Sequence, residues 1–318
     1  MRWIFIGLVF VSGGLAADVP MPTQVKTLKV TVLSTMLAER GLGEWGFAAL
    51  VEVDGRRILF DTGMNSDVVL KNAASLEVDL STVPDVILSH SHFDHTGGLM
   101  TLRESMRPKK PDALAIVHGA EGLFYRRVDG GPPMIANPLL FIRPQYEATG
   151  GVFRIHGEPV ELYPGVWFSG PVPRRHPERN FPRDGRLEGP MGEAEDTVPE
   201  DAALFINTAE GLVVITGCGH AGVVNIIEHA RAVVRPAKVH ALIGGFHLFN
   251  ASEETLAWTA VKLREFGVEN FIGAHCTGIE TVYRFRTELG LGRAHAVVSA
   301  TGTGFELGKG IEPGVLAR

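Results

Sequence analysis

The chain has 318 residues, of which 45% are hydrophobic and 21% are charged. This balance is typical of a globular protein with enough apolar residues for a core. The formal net charge of −6 gives no general electrostatic reason to bind nucleic acid, and we expect no such partner.

The first 17 residues have the composition of a secretory signal peptide. Arg2 supplies a positive charge, residues 3–11 are almost entirely apolar, and the small residues that follow end in Ala16 and Ala17. This pattern predicts cleavage near Ala16 or Ala17, and the apolar run is short for a permanent membrane span. A misassigned start or an N-terminal anchor is the alternative. We therefore expect an exported, periplasmic protein of residues 18–318, with no stable membrane insertion after cleavage.

The first half of the mature chain begins with strand patterns and then alternates between strands and helices. Asp54-Gly55 is a typical hairpin turn, and Asn65 or Ser66 can cap a helix that runs to about Ser75. A short buried strand leads directly into a cluster of histidines. The predicted strands of this half are residues 26–34, 47–53, 57–60, 86–88 and 113–117, and a second helix runs to about 106.

Residues from about 127 to 200 are different, because proline and glycine are dense and strand-like patterns appear only near 152–155 and 166–169. Long irregular segments inside compact domains are usually functional loops or flexible linkers. We therefore expect an irregular insertion that covers or borders the active site. Five arginines lie between 174 and 186, most simply in a solvated loop. Their alternative role is recognition of a phosphate or carboxylate on the substrate, with Arg174 and Arg175 as candidates.

Regular patterns return at Ala203, with a second hairpin around Glu210-Gly211. Each half therefore opens with hairpins and continues with alternating strands and helices. This order favours an α/β fold in which two packed sheets are flanked by helices. The predicted strands of the second half are residues 204–207, 212–216, 239–243, 270–274 and 296–299, and the predicted helices are 223–234, 252–266 and 278–289.

The strongest chemical signal is the run His90-Ser-His92-Phe-Asp94-His95. It places four potential metal ligands within six residues, directly after a buried strand. A tight loop at a strand end can point all four at one place, whereas a regular strand or helix cannot. Imidazole suits zinc, iron and similar metals, and the carboxylate adds negative charge. The alternative is a histidine-rich surface turn, which the position after a buried strand disfavours.

Two later histidines also stand where predicted strands end. His220 and His275 are flanked by glycine and precede helices, which is a typical placement for active-site residues in α/β proteins. Each alone would be an ordinary core histidine, but together with the first cluster they are predicted ligands. Cys218 and Cys276 lie one or two residues from these histidines. They are either buried neighbours of the metal site or a pair with each other, and two cysteines cannot form a disulfide framework for this length.

These motifs give the chain a likeness to a known family. His90, His92, Asp94 and His95 match the His-x-His-x-Asp-His signature of the metallo-β-lactamase fold superfamily, and Phe60-Asp61-Thr62-Gly63 matches its first motif. Within that superfamily, the chain resembles metal-dependent hydrolases related to dihydropterin-aminobenzene-phosphate synthases. The likeness to that group rests on residues 217–222, 244–248 and 275–278. It implies a four-layer αββα sandwich with a two-metal site at one edge of the sheets.

The resemblance also implies a ligand set. His90, His92 and His220 would hold one divalent ion, and Asp94, His95 and His275 a second. Asp61 would support the metal loop as a structural aspartate. Zinc is the expected metal, with iron and manganese as alternatives.

The superfamily's usual bridging aspartate is missing, because no aspartate occurs between 221 and 274. The corresponding strand leads instead to His247. This histidine either binds a metal, supports a ligand or contacts the substrate.

The predicted function is metal-dependent hydrolysis of a small-molecule substrate, and an anionic substrate is one alternative. A bound cation lowers the pKa of its water, so that metal-bound hydroxide is available near neutral pH. Asp94 can orient this hydroxide and help to move its proton. The bond is an ester, amide, lactone or phosphoester. A purely structural metal site is disfavoured, because such zinc sites are usually closed and rich in cysteine.

Two other functions stay open at this point. One is a synthase that acts on a pterin-like or phosphorylated substrate, as the resemblance implies; predicted export argues against it. The other is a non-catalytic protein that binds metal or ligand, which a single occupied metal site would favour.

Overall fold

The computed structural model describes residues 22–128, 137–181 and 184–316. The predicted signal peptide, residues 1–17, lies outside the described residues. Among the helices of the described part, none combines the length and apolar character needed to cross a membrane.

The described strands and helices follow the predicted alternation. The strands are β1 (Leu28–Ser34), β2 (Leu37–Ala38), β3 (Ala48–Val53), β4 (Arg56–Phe60), β5 (Asp85–Ile87), β6 (Ile116–Ala120), β7 (Arg126–Arg127), β8 (Val152–His156), β9 (Val160–Tyr163), β10 (Val166–Phe168), β11 (Arg186–Gly189), β12 (Gly192–Glu195), β13 (Ala203–Thr208), β14 (Gly211–Thr216), β15 (Val239–Gly244), β16 (Asn270–Gly273), β17 (Ala296–Val298), β18 (Ala300–Thr301), β19 (Gly304–Glu306) and β20 (Gly310–Glu312). The helices are α1 (Val68–Ser75), α2 (Phe93–Thr96), α3 (Leu99–Met106), α4 (Leu139–Ala148), α5 (Val223–Val233), α6 (Glu253–Glu265) and α7 (Ile279–Glu288), with a 3₁₀ turn at His275–Thr277.

Two large sheets organise the chain. The first has the order β20-β19-β1-β3-β4-β5-β6-β8, and the second has the order β17-β16-β15-β14-β13-β10-β9. Hairpins begin each half: β3 and β4 turn at Asp54-Gly55, where both residues have the positive φ that a tight hairpin turn requires. Strands β4, β5, β6 and β8 are parallel, as are β14 to β17. Parallel neighbours need crossover connections, which place the helices on the outer faces.

Three apolar clusters define four layers. One lies between the sheets and includes Phe60 from the first sheet and Ile215 from the second. Another packs the outer face of the first sheet against helices and includes Leu99. The third packs the second sheet against helices and includes Ile226 and Leu263. The predicted αββα sandwich is therefore confirmed.

The segment from 127 to 200 is more regular than its composition indicates. The strand patterns near 152 and 166 are confirmed as β8 and β10, which lie at or near the edges of the two large sheets. Helix α4 was not predicted, because Pro144 lies inside it. The strands β19 and β20 were also missed, because each has only three residues and neither continues a longer apolar pattern in the glycine-rich sequence after Ser299.

A polar bridge joins the two sheets. The Asp85 carboxylate on β5 accepts hydrogen bonds from the Tyr163 hydroxyl on β9 and, at 3.2 Å, from His118 Nε2 on β6. His118 Nδ1 lies 3.0 Å from His156 Nε2, and the two rings are stacked. Burial raises the pKa of Asp85, but the hydrogen bonds from His118 and Tyr163 outweigh it, so the net shift is downward.

We expect Tyr163→Phe to lower the free energy of unfolding by about 1–2 kcal/mol at pH 7, because it removes a donor to a largely buried carboxylate. Since the pKa of folded Asp85 is below its ordinary value of 3.8, its contribution is present above that pH and is lost as the pH falls through the folded pKa. Chemical denaturation followed by circular dichroism measures the change. Tyr283→Phe, at an exposed position on α7, is the control, and an equal loss in both variants would contradict the role of the bridge.

Candidate metal centre

The candidate site lies where strands from both sheets end. The loop after β5 carries His90 and His92, and the loop after β14 carries Cys218 and His220. His247 follows β15, and His275 follows β16. Because β14, β15 and β16 are parallel neighbours, their carboxyl ends meet at one edge.

The first donor group consists of His90, His92 and His220. The Nε2 atom of His90 lies 3.0 Å from the Nδ1 atom of His92, and the His220 ring centroid is 4.8 Å from that of His90. His220 Nδ1 is hydrogen-bonded to the carbonyl oxygen of Asn180, whereas its buried Nε2 has no hydrogen-bond partner. This arrangement directs Nε2 of His220 towards the other two rings, as metal ligation requires.

The second donor group contains Asp94, His95 and His275, as the sequence predicts, and adds Cys218. His275 Nε2 is 3.2 Å from Asp94 Oδ2, and His95 Nε2 is 3.1 Å from Cys218 Sγ. Sequence reasoning treated Cys218 only as a possible neighbour of the site. The signal that could have found it is its position in Gly-Cys-Gly-His, two residues before His220.

Asp61 stands behind this group rather than in it. Its Oδ2 accepts hydrogen bonds from His95 Nδ1 at 2.7 Å and from Ser89 Oγ at 2.8 Å, and its Oδ1 accepts one from Ser89 N at 2.8 Å. The carboxylate therefore fixes the His95 ring so that Nε2 faces Cys218 and Asp94. This contact is the one that the predicted supporting role of Asp61 requires, and the role itself stays a prediction.

The protonation states of the first donor group and of Asp94 suit ligation. Burial, and then the neighbouring histidines, hold the pKa of His90 and of His220 well below the ordinary value. Burial and the Arg127 charge lower the pKa of His92 to about 4. Burial raises the pKa of Asp94, but His95 and His275 outweigh it and the net shift is strongly downward. At neutral pH these three histidines are thus neutral, with lone pairs available, and Asp94 is ionised.

The two histidines of the second donor group differ. Burial lowers their pKa values, but the nearby Asp61 and Asp94 carboxylates outweigh it and raise the pKa of His95, and Cys276 and Asp94 raise the pKa of His275 to about 10. These two rings must therefore lose a proton on binding a metal.

A second network holds the loop between His90 and His92. Ser91 Oγ donates to Glu200 Oε1 at 2.7 Å, and Arg127 Nη2 donates to the same oxygen at 2.9 Å. Arg127 also donates through Nε to Asp196 Oδ2 at 2.5 Å. The Arg127, Ser91 and Glu200 side chains are buried. Sequence reasoning missed these residues, because their partners are far away along the chain.

His247 is brought to the site. Its ring centroid is 4.6 Å from that of His220, and its buried Nδ1 has no hydrogen-bond partner. With Cys218 and His220 it forms a third donor group. A positive φ of 48° turns the backbone here, and its backbone N–H donates to Cys276 Sγ at 3.2 Å.

A cavity of about 870 Å³ opens beside the donor groups. Trp45 lines it, with its ring 4.7 Å from that of His275. Asp94, whose side chain is 19% exposed, reaches the cavity. The His275 side chain also lines the cavity, although it is fully buried, and His95 is buried behind the lining. The other lining residues are His92, Pro177, Glu178, Arg179, Asn180, Phe181, Cys218, His220, His247, Asn250, Ala251, Ser252, Glu254, Thr255, Trp258 and Cys276.

The two arginines predicted to contact substrate lie elsewhere. Arg174 donates hydrogen bonds to the backbone carbonyls of His220, Thr197 and Val198. Neither Arg174 nor Arg175 lines the cavity, whereas Arg179 does. Contact of Arg174 and Arg175 with substrate stays a prediction, and the position of Arg174 indicates that it supports the loop of His220.

The donor set fits divalent metal ions. The ligand atoms of each group lie within 4.8 Å of one another, and the buried Nε2 of His220 and Nδ1 of His247 have no hydrogen-bond partner among the described residues. Buried polar atoms are rarely left without a partner, so these nitrogens point to a ligand. Imidazole, carboxylate and thiol donors together suit zinc better than magnesium or calcium.

Comparison with known proteins agrees with this geometry. The family model of the metallo-beta-lactamase superfamily matches residues 46–234. A 7,8-dihydropterin-6-methyl-4-(beta-D-ribofuranosyl)-aminobenzene-5'-phosphate synthase from Methanocaldococcus jannaschii is 30% identical over 278 residues, which cover 83% of this chain and 92% of the relative.

Solved structures agree as well. Tm1679, described as a metal-dependent hydrolase of the beta-lactamase superfamily, is 29% identical with a TM-score of 0.66, covering 82% of this chain and 93% of its own. Zn(2+)-bound PqqB from Methylobacterium extorquens is 14% identical with a TM-score of 0.52, covering 88% of this chain and 100% of its own, and it supports the fold alone. The motif, the four-layer sandwich and these matches together place the chain in the metallo-beta-lactamase superfamily.

Proposed function

We propose that this protein is a metal-dependent hydrolase of a small molecule that carries an ester, amide, lactone or phosphoester bond. The observation that carries the proposal is the placement of two adjacent donor groups beside a cavity of about 870 Å³. Superfamily members are generally enzymes, and a cavity of this size suits a small-molecule substrate.

Two divalent ions, with zinc preferred over iron or manganese, would be held by the residues already grouped by geometry. His90, His92 and His220 would hold one, and the group around Asp94, His95 and His275 the other. Such ions make bound water more acidic and polarise the bond to be broken.

The chain's own residues supply the positioning and the proton transfer. Asp94 is ionised and reaches the cavity, so its carboxylate can accept a proton from the attacking water and pass it to the leaving group. Asp61 holds His95, and Asn180 holds His220, so neither ring can turn away. Trp45 and Trp258 line the cavity with apolar surface, against which an apolar part of a substrate can pack.

A synthase role is the second candidate, and one observation favours it: the 30% identity to the Methanocaldococcus jannaschii synthase over most of both chains. The same cavity would then hold a pterin-like or phosphorylated substrate without net hydrolysis.

We also propose that the protein is exported, on the composition of residues 1–17. Export favours hydrolysis, because cofactor synthesis belongs in the cytoplasm.

Zinc-reconstituted protein should hold about two ions per chain by elemental analysis. His95→Ala should lower the content towards one, because His95 lies in the second donor group and is held there by Asp61. The matched control is His295→Ala, at an exposed position, which should keep both ions. One ion or none in the wild type, even after metal is resupplied, would contradict the two-metal mechanism and favour a mononuclear or purely binding role.

Asp94→Ala should lower kcat/KM by about 100-fold or more, because the proton acceptor and one metal ligand are lost together. The measurement is hydrolysis of a panel of esters, amides, lactones and phosphoesters by the zinc-loaded protein, with circular dichroism to verify the fold. Asp112→Ala removes an exposed carboxylate and should leave the rate unchanged.

The same preparation separates the two candidates. It should be incubated with an activated dihydropterin and a 4-(β-D-ribofuranosyl)aminobenzene 5'-phosphate, and the products separated by chromatography. Coupling of the two without hydrolysis of the panel would replace the hydrolase proposal by the synthase. Metal binding without either reaction would leave the binding role.

A further inference from the structure

The predicted ligand set is poor in negative charge. Asp94 is the only carboxylate among its six members, so two divalent ions would bring four positive charges against one negative charge. Two such ions a few ångströms apart repel each other strongly in a buried site, and a shared anionic ligand reduces that repulsion. The aspartate that serves this purpose in the superfamily is absent here, and His247, which stands in its place, is neutral or positive.

Cys218 lies between the two ligand sets. It belongs to one donor group with Asp94, His95 and His275 and to another with His220 and His247. Among the described residues, Cys218 is the one that groups both with the predicted ligands of the second ion and with His220, a predicted ligand of the first ion. Its Sγ is 3.1 Å from His95 Nε2, a separation close to that of two ligands on one tetrahedral zinc ion, about 3.3–3.8 Å from the usual bond lengths.

The backbone holds Cys218 in this place. A Cβ atom at Gly217 would lie 2.0 Å from Ser89 Oγ and 2.5 Å from Asp61 Oδ2. Only glycine therefore allows the loop to approach the carboxylate that supports His95. Gly219 follows with a φ of 62°, which turns the chain so that Cys218 and His220 both face the site.

Cys276 has a different position, although its Sγ is only 3.4 Å from Cys218 Sγ. Both are free thiols. Cys276 accepts the backbone N–H of His247 at 3.2 Å and belongs to none of the donor groups found in the described residues. It is equally buried, so it offers a matched control for Cys218.

We propose that Cys218 is a metal ligand whose thiolate is shared by the two ions, in place of the missing aspartate. The proposal deepens the proposed function, since it rests on the two-metal site. Each binding event is balanced: the Cys218 thiol gives its proton to solvent as the sulfur binds the first ion, and the same sulfur then offers a second lone pair to the other. A soft thiolate also favours zinc over manganese, which narrows the expected metal.

Cobalt(II) tests the proposal without reference to activity. Metal-free wild-type protein is titrated with cobalt while thiolate-to-cobalt charge-transfer absorption is recorded in the near ultraviolet and bound cobalt is counted by elemental analysis. The absorption should grow with both the first and the second equivalent, because each ion forms a bond to the same sulfur. Cys218→Ser should abolish this absorption and weaken the binding of the second cobalt by at least ~10-fold. Cys276→Ser should retain both.

The outcomes are distinct. Two bound cobalt ions without charge-transfer absorption would overturn the thiolate ligand and leave the two-metal hydrolase intact. Charge-transfer absorption that saturates at one equivalent of cobalt would overturn the proposal that both ions share the Cys218 thiolate. Loss of the absorption in Cys276→Ser but not in Cys218→Ser would identify Cys276 as the ligand and overturn the proposal. Failure of the wild type to bind cobalt or zinc would overturn the proposed function together with this inference.

A second variant guards against misfolding. Cys218→Asp restores an anionic side chain at the same position, so it should recover the second cobalt without the charge-transfer absorption. If Cys218→Ser fails to fold, this variant carries the comparison. Charge-transfer absorption in Cys218→Asp equal to that of the wild type would show that Cys218 is not the ligand.

Discussion

The buried carboxylate of Asp61 is the interaction on which the rest of the site depends. It stands directly after β4, takes a positive φ of 56°, and is inaccessible to solvent. Its three hydrogen bonds come from Ser89, which follows β5, and from His95 on α2. Because an ionised carboxylate without such donors is costly to bury, these partners fix one another. Gly217, from the second sheet, packs on the same carboxylate, so one side chain sets the relative position of loops from both sheets.

The segment between 127 and 200 has a related structural purpose. Arg127 and Glu200 meet at Ser91, between two predicted ligands of the first sheet. Asn180 accepts the hydrogen bond that orients His220 in the second sheet. The insertion, which the sequence predicts to cover or border the site, thus holds predicted ligands on both sides of it. Substitutions far along the chain from the candidate metal centre can therefore disturb it, since loss of a partner in a buried polar network leaves the remaining groups unpaired.

The sequence predicts those parts of the fold that depend on interactions between residues close together along the chain. Periodicity and caps located most strands and helices, and the spacing from His90 to His95 located the first ligands. Cys218 could not be assigned to the centre in this way, because its role depends on a separation from His95 that the chain closes only in three dimensions. For the same reason the sequence leaves the arginines near 174 open between a solvated loop and a substrate contact, and only the structure shows that the Arg174 guanidinium donates to backbone carbonyls. A charged residue in a loop gives no sequence signal that separates a ligand contact from an internal hydrogen bond.

The cavity lining restricts the shape and polarity of the substrate more than it restricts the type of reaction. The cavity has aromatic walls formed by Trp45, Trp258 and Phe181. Among the described lining residues, Arg179 is the only arginine, and no lysine is present. Arg179 lies over the Phe181 ring and pairs with Glu195, so its charge is partly satisfied. A small, highly charged substrate would leave the aromatic surface uncovered, whereas a flat, partly apolar one would bury it. Substrates of the proposed hydrolase and of the proposed synthase can both have this character, so the lining does not separate the two proposals. They differ at Asp94 and the donor groups, where a hydrolase would let water attack the substrate and a synthase would exclude it.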